Sequence, residues 1–436
     1  MVKILIGTIL LYYFGYLNPS SRSLLNTLFM SVSAVCVTGL SVMDVGTTLS
    51  NTGQIILICL VELGGIGIFC FSNWIMLSLS GSLSTKESMV IADMLGSNKG
   101  FNPGFIIKST LVYTLGIELI GALFLFFYFI RDMSVATAIK YSVFHSISAF
   151  CNSGFTLFPD SLASFSSQWY LNIVIAILVL FGGIGFLVSA DVGASVLAFF
   201  RKRRRKLLLH SKIILVFTGI IIVVSSIAIF ILEIENSRMD PELNIRIFES
   251  LFIAIASRTA GFSQVDMNSL TNMSLIIICL IMFIGASPGS TAGGIKITTF
   301  AILCGMLRSQ LTNRSSVEIM YRRVPSKIVS KAMTVVFIYC ILAVTALVLL
   351  QFTELYGVVA QDTRGVFIKH LFEVISALST VGLSTGVTES LSNPGLCIIM
   401  GCMFIGRLGA IVIIASVIGT RRSLDYKYPP ANILVG

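Results

Sequence analysis

Four stretches of the chain are variants of one pattern: LFMSVSAVCVTGLS at 28–41, VFHSISAFCNSGFT at 143–156, LFIAIASRTAGFS at 251–263 and LFEVISALSTVGLS at 371–384. Each begins with an apolar run too short to cross about 30 Å of hydrocarbon, then takes a polar step to a glycine. Those glycines are Gly39, Gly154, Gly261 and Gly382, followed by Leu40, Phe155, Phe262 and Leu383; the third copy is one residue shorter between its Phe and its Gly. A second motif runs in phase with the first: LGGIG, FGGIG, IGASPG and IGRLG place Gly64, Gly182, Gly285 and Gly406 at 25, 28, 24 and 24 positions after the repeat glycines. Scattered helix-packing glycines are common in membranes, but they would not hold two motifs in register four times. The pattern is an internal repeat, with units over 1–81, 82–206, 207–310 and 311–436.

Composition says where these units live. Of the 436 residues 56% are hydrophobic and only 11% charged, against about 25% charged in a soluble domain, and the mean hydropathy is +0.94. A cytosolic enzyme is excluded. Apolar segments at roughly 4–16, 53–80, 104–130, 169–200, 213–234, 273–306, 328–351 and 395–418 are candidate spans. The first gives only about 20 Å of helix at 1.5 Å per residue, which suggests a shortened first helix or a start internal to the reading frame. A signal peptide is the rival reading, but Lys3 is the single early charge and no A-x-A site follows.

The net charge of +10 is distributed unevenly. Lys and Arg gather around 86–108, in RKRRRK at 201–206 continuing to Lys212, in 308–331 and in the tail at Arg421, Arg422 and Lys427. These segments are cytoplasmic by the positive-inside rule, so both termini face the cytoplasm and each outward connection holds one of the short repeated stretches. RKRRRK after a span reads as a topology and headgroup anchor, not a nucleic-acid site. The nine Cys are scattered without a CxxC, which implies free thiols rather than a disulfide or metal framework. The expected fold is an all-α polytopic membrane protein: four repeats of helix, re-entrant half-helix with loop, helix, around a pseudo-fourfold pore.

Non-helical backbone at membrane depth is tolerated only around water or an ion, because each orphan carbonyl in lipid costs several kcal/mol. Four such loops around an axis could replace the hydration shell of a potassium ion with carbonyl oxygens. The glycines supply torsions that a side chain forbids, and half-helices ending at the loops direct a partial negative charge of about 0.5 e toward a cation. Four outward hairpins with turn glycines are the simpler alternative. Arg258, beside the third loop, is expected to anchor loop backbone rather than line an ion path, and His145 to be a packed residue rather than a ligand.

Two further features stand out. Residues 285–294, GASPGSTAGG, cannot sustain helix, and this break carries far more Gly, Ser and Pro than its three counterparts. Lys296 closes it and is read as snorkelling toward the cytoplasm. Arg407 is a lone charge in an apolar helix, hence a functional candidate. Glu62, Glu118, Asp191 and Arg407 form no recognisable catalytic constellation, so no enzyme is expected; the three acids are read as vestibule or interface groups.

These segments together resemble the Trk, Ktr and HKT superfamily of potassium transporters, closest to the membrane subunit of bacterial Ktr systems. VTGLS, SAFCNSGFTLFPDSL, SRTAGF, STVGLS, MFIGASPGSTAGGIKITTF and MFIGRLG carry the match. The resemblance implies a selectivity filter of Val37, Thr38, Gly39, Leu40; Asn152, Ser153, Gly154, Phe155; Thr259, Ala260, Gly261, Phe262; and Thr380, Val381, Gly382, Leu383. It implies an intramembrane gating loop of Gly285, Ala286, Ser287, Pro288, Gly289, Ser290, Thr291, Ala292, Gly293 and Gly294, with Lys296 closing the stretch and Arg407 facing the pore near the loop, where it would help hold the loop across the path. It further implies potassium as the ion, sodium as an activating or coupled ion, and no organic cofactor. The implied assembly is a homodimer on a cytosolic ring of nucleotide-binding regulatory subunits, in the bacterial cell membrane. In plant relatives Ser at the first filter glycine accompanies sodium passage, so Gly39 argues for potassium. A sodium-coupled secondary transporter is the alternative, although inverted repeats would give halves of opposite topology.

Overall fold

A computed structural model describes residues 1–67, 103–202, 206–234, 236, 242–314, 316–357 and 365–409. Outside these lie the end of the 53–80 span, the basic residues Lys86, Lys99 and Arg203–Arg205, the 410–418 end of the last span and the basic tail.

The described chain is helical apart from loops and one two-residue hairpin pairing Glu318–Ile319 with Arg322–Arg323. In the first copy α1 (Val2–Phe14) is followed by the half-helix α2 (Leu24–Cys36) and by α3 (Asn51–Gly65). The second has α4 (Pro103–Phe129), the half-helix α5 (Val135–Phe150), α6 (Trp169–Ile184) and α7 (Phe186–Phe200). The third has α8 (Leu209–Leu232), the half-helix α9 (Leu243–Ala256), α10 (Asn272–Phe283) and α11 (Ile297–Leu311); the fourth has α12 (Ser326–Leu355), the half-helix α13 (Val366–Leu378) and α14 (Asn393–Leu408).

Among the described residues α8, α12 and Thr110–Phe129 of α4 are long and apolar enough to cross a membrane as single helices. Their outward faces are apolar, with Leu119, Val224, Ile231 and Phe337 more than half exposed, as lipid contact requires. The candidate spans over 169–200 and 273–306 are broken at their glycine motifs, as those motifs lead one to expect. The first bends by 105° between α6 and α7, and the second is non-helical from Ile284 to Lys296. Glycines at positive φ mark both breaks, Gly185 at 83° in the first and Gly289 and Gly294 at 74° and 69° in the second, torsions a helix cannot continue through.

The second motif has a packing reason. A Cβ at Gly64, Gly182 or Gly406 would collide with the carbonyl oxygen of Val35, Phe150 or Leu378, the end of the half-helix in the same copy. Glycine at these positions lets each second helix lie directly on that end. Between copies the contacts close on themselves: α3 packs on α5, α6 on α9, α10 on α13, and α14 back on α2. First and second helices are also tied at their loop ends. Glu233 accepts from Thr271 N and Oγ1 at 2.9 and 2.8 Å, and Glu354 accepts from Ser392 Oγ at 2.6 Å.

Candidate functional site

Each half-helix ends in a loop with the same backbone signature. Val37, Asn152, Thr259 and Thr380 have φ of 54°, 58°, 80° and 50°, and two residues later Gly39, Gly154, Gly261 and Gly382 have φ of 89°, 72°, 75° and 93°. The residues between them, Thr38, Ser153, Ala260 and Val381, are not in that region. Alternating handedness turns successive N–H groups to one side and leaves the carbonyls on the other. The hydrogen bonds agree: Thr38 N donates to Ser33 O and Gly39 N to Ser33 Oγ, while Val381 N and Gly382 N donate to the same two atoms of Ser376, at 2.8–3.1 Å. The amides are thus consumed by the half-helix behind. Left-handed torsions at non-glycine residues, three of them β-branched here, cost of order 1–3 kcal/mol each and persist where the surroundings impose them.

The four loops meet. A Cβ on Gly39 would collide with Ser153 O and lie 3.3 Å from Gly154 Cα; one on Gly154 would lie 2.7 Å from Gly261 Cα. One on Gly261 would lie 2.6 Å from Val381 O, and one on Gly382 would collide with Thr38 O. The contacts run first to second to third to fourth to first. In every tetrad the glycine alone keeps some accessibility, and its three neighbours are buried. Thr38, Thr259 and Thr380 are 0% exposed, yet their hydroxyl oxygens have no partner among the described residues. An unpaired buried hydroxyl costs about 1–3 kcal/mol, and three of the four tetrads carry one.

The 285–294 loop lies against the half-helix ends that lead into the second and fourth tetrads. An isolated bridge joins Ile284 to Ile295 at its base, and Ser287 N donates to Gly183 O at 3.2 Å. Thr291 Oγ1 reaches Phe150 O at 3.4 Å, and a Cβ on Gly293 would lie 3.0 Å from Ser379 O. Pro288, Gly289 and Ser290 keep accessibility at the tip, whereas Gly285, Ala286, Ser287, Thr291, Ala292, Gly293 and Gly294 are buried. Arg407 donates from Nη1 to Thr291 O and from Nη2 to Gly64 O, so one guanidinium joins α14, the loop of the third copy and the second helix of the first. Lys296 does not snorkel: its Nζ turns back to Ala292 O at 2.6 Å and closes the loop on itself.

Other expectations fare unevenly. His145 is fully buried, its Nδ1 2.8 Å from Tyr141 O and its Nε2 3.4 Å from Leu157 N. Arg258 makes no hydrogen bond among the described residues and its Nε is buried without a partner, so it does not anchor the loop as expected. Asp191 accepts from Leu208 N at 2.9 Å and ties α7 to the chain before α8. Sequence reasoning did not bring Glu62, Glu118 and Cys151 together, yet their ligand atoms lie within 4.8 Å of one another, with Cys151 Sγ 3.4 Å from Glu62 Oε2. This group lies behind the second tetrad, and the three positions carry no shared spacing that could have revealed it.

Comparison with known proteins supplies the identity of this architecture. The profile of the TrkH family, described as cation transport proteins, matches residues 2–420. The chain belongs to the TrkH family. Among curated TrkH-family relatives it is 33% identical to the Ktr system potassium uptake protein B of Vibrio alginolyticus, over 98% of this chain and 94% of that one. It is equally 33% identical to the protein of that name from Bacillus subtilis, over 100% and 94%. The potassium/sodium uptake protein NtpJ of Enterococcus hirae is 31% identical over 99% and 94%. The fold matches the crystal structure of the potassium transporter TrkH from Vibrio parahaemolyticus with a TM-score of 0.72, at 18% identity, covering 95% of this chain and 83% of that one.

Proposed function

We propose that this chain takes up potassium across the bacterial cell membrane through a filter of backbone carbonyls contributed by Val37–Leu40, Asn152–Phe155, Thr259–Phe262 and Thr380–Leu383. The closed cycle of glycine contacts carries this reading, because chains that approach within Cβ distance while their amides face outward have their carbonyls left for a central ion. Carbonyl rings of this kind replace a potassium hydration shell. The half-helix dipoles act in the same direction, and the unpaired Thr hydroxyls offer further oxygen ligands. Each repeat, in the ranges 1–81, 82–206, 207–310 and 311–436, then contributes one quarter of the pore.

The loop 285–294 is the gate in this reading, held across the path by Arg407 and closed by Lys296. Opening is assigned to a cytosolic nucleotide-binding ring acting on a homodimer of this chain, and both termini lie on the cytoplasmic side. The names of the two Ktr relatives support membership of a multi-component system. NtpJ, named for both ions, supports a second reading in which sodium also passes or is coupled.

Gly39→Ser tests the filter. Its Cβ would be driven against Ser153 O, displacing a carbonyl of the ring. Uptake kinetics should record a lower affinity for potassium and a larger sodium flux. Unchanged affinities for both ions in a correctly inserted protein would remove the first loop from the filter.

A further inference from the structure

The residue after the repeat Phe occupies one position in all four half-helices. The Phe itself is buried in each copy: Phe29, Phe144, Phe252 and Phe372. The next residue is Met30, His145, Ile253 or Glu373, none more than 1% exposed. A buried, equivalent position filled by four different chemistries is not explained by packing alone. In three copies it has a polar atom, and in each of those it grips the chain that leaves the same copy's tetrad. Ser41 Oγ, whose hydrogen is directed to Met43 O, lies 3.4 Å from Met30 Sδ, and Leu157 N lies 3.4 Å from His145 Nε2. Glu373 takes four donors: Ser384 Oγ at 2.6 Å, Thr385 N at 2.9 Å, Thr385 Oγ1 at 3.3 Å and Thr388 Oγ1 at 2.6 Å. In the third copy Ile253 has nothing to offer, and the leaving chain is held from next door. Ser263 N donates to Ser161 Oγ at 3.1 Å, and Leu162 N donates to Ser263 O at 2.9 Å.

We propose that this position is the positioning device of the filter and that Glu373 is its strongest member, setting potassium over sodium preference through the fourth loop. The proposal rests on the filter reading above and adds to it the groups that hold the ring at its working diameter. Ser384 is two residues from Gly382, and a Cβ on Gly382 would already collide with Thr38 O, so any shift of Ser384 is transmitted to the junction of the fourth and first loops. All four of these contacts are donors to Glu373, and a carboxylate is the one small side chain able to accept so many. Discrimination by a carbonyl ring depends on the oxygens not following a smaller ion inward. A segment bound at four points resists that movement; one bound through a single thioether contact, as at Met30, resists it less.

The test reads ion preference, which a merely structural residue would not move once the protein is folded. Glu373→Met installs the chemistry of the first copy, Glu373→Gln retains one acceptor oxygen, and Thr388→Val and Ser384→Ala delete single donors while leaving Glu373 in place. Potassium and sodium uptake affinities are measured in proteoliposomes at matched incorporation, with Gly382→Ser alongside. The ratio of potassium to sodium affinity should fall about tenfold in Glu373→Met, less in Glu373→Gln, and two- to threefold in each donor deletion. If Glu373→Met fails to insert, the donor deletions decide. A parental ratio in Thr388→Val and Ser384→Ala, with a lowered ratio in Gly382→Ser, overturns the positioning role and leaves the filter standing. A parental ratio in Gly382→Ser as well overturns the filter assignment of that loop itself.

Discussion

Replacing Arg407 with Gln should open the pathway. The guanidinium bridges Thr291 O in the loop and Gly64 O in the first copy, and Gln is too short and too poor in donors to make both contacts. Hydrogen bonds to charged groups contribute about 1.5–3 kcal/mol net. If an open loop leaves Arg407 hydrated, losing one such bond favours opening by that amount, or about 10- to 150-fold at 1.4 kcal/mol per decade. Removing a positive charge beside the cation path acts in the same direction. Potassium flux into proteoliposomes should therefore rise by one to two orders of magnitude and depend less on a regulatory partner, with the potassium to sodium ratio unchanged. Arg407→Lys keeps the charge without the planar fork and should fall between. A Gln variant that conducts as the parent does would refute the bridge as a latch. A changed ion ratio would instead make the loop part of the filter's support.

Two more expectations follow from packing and charge. Gly182→Ala drives a methyl into Phe150 O; overpacking of this kind costs about 1–3 kcal/mol, so the melting temperature in detergent should drop, and an unchanged value would mean α6 can move off the half-helix. If the basic segments at 201–212 and 308–331 receive the proposed cytosolic ring, reversing Arg203, Arg204 and Arg205 to Glu should weaken association with it, measured by co-purification at low and high salt; retention at both places the docking surface elsewhere, as in 308–331.

Much of the site was legible before any coordinates because repetition amplifies weak signals. One TGL or SGF tripeptide carries almost no information, but four in phase with a second glycine motif identified the four loop glycines and the helix breaks, and the family resemblance supplied the tetrads around those glycines. The conspicuous residues were legible for a different reason. A run such as GASPGSTAGG is incompatible with helix, and a lone Arg407 in an apolar span has to find partners. What the residues could not say was which partners. Lys296 looked like a snorkelling cation, and its ammonium instead turns back to Ala292 O and caps its own loop. Arg258 looked like a backbone anchor and makes no such bond among the described residues.

The sequence by itself determined the solvent, the number of copies and the residues that cannot be helical, since these follow from hydropathy, periodicity and the torsional limits of Gly and Pro. Tertiary structure alone decided that the tetrads touch in a closed cycle and that Gly64, Gly182 and Gly406 make room for carbonyls of half-helix ends. It also decided that Glu62, Glu118 and Cys151 share one place and that Met30, His145 and Glu373 grip their own loops. The reason is physical: spacing along a helix reports which face a residue occupies, whereas these contacts join segments up to several hundred residues apart, as Arg407 and Gly64 are. Nothing local in the chain encodes that meeting; it arises when four similar units pack second helix on half-helix and close the ring.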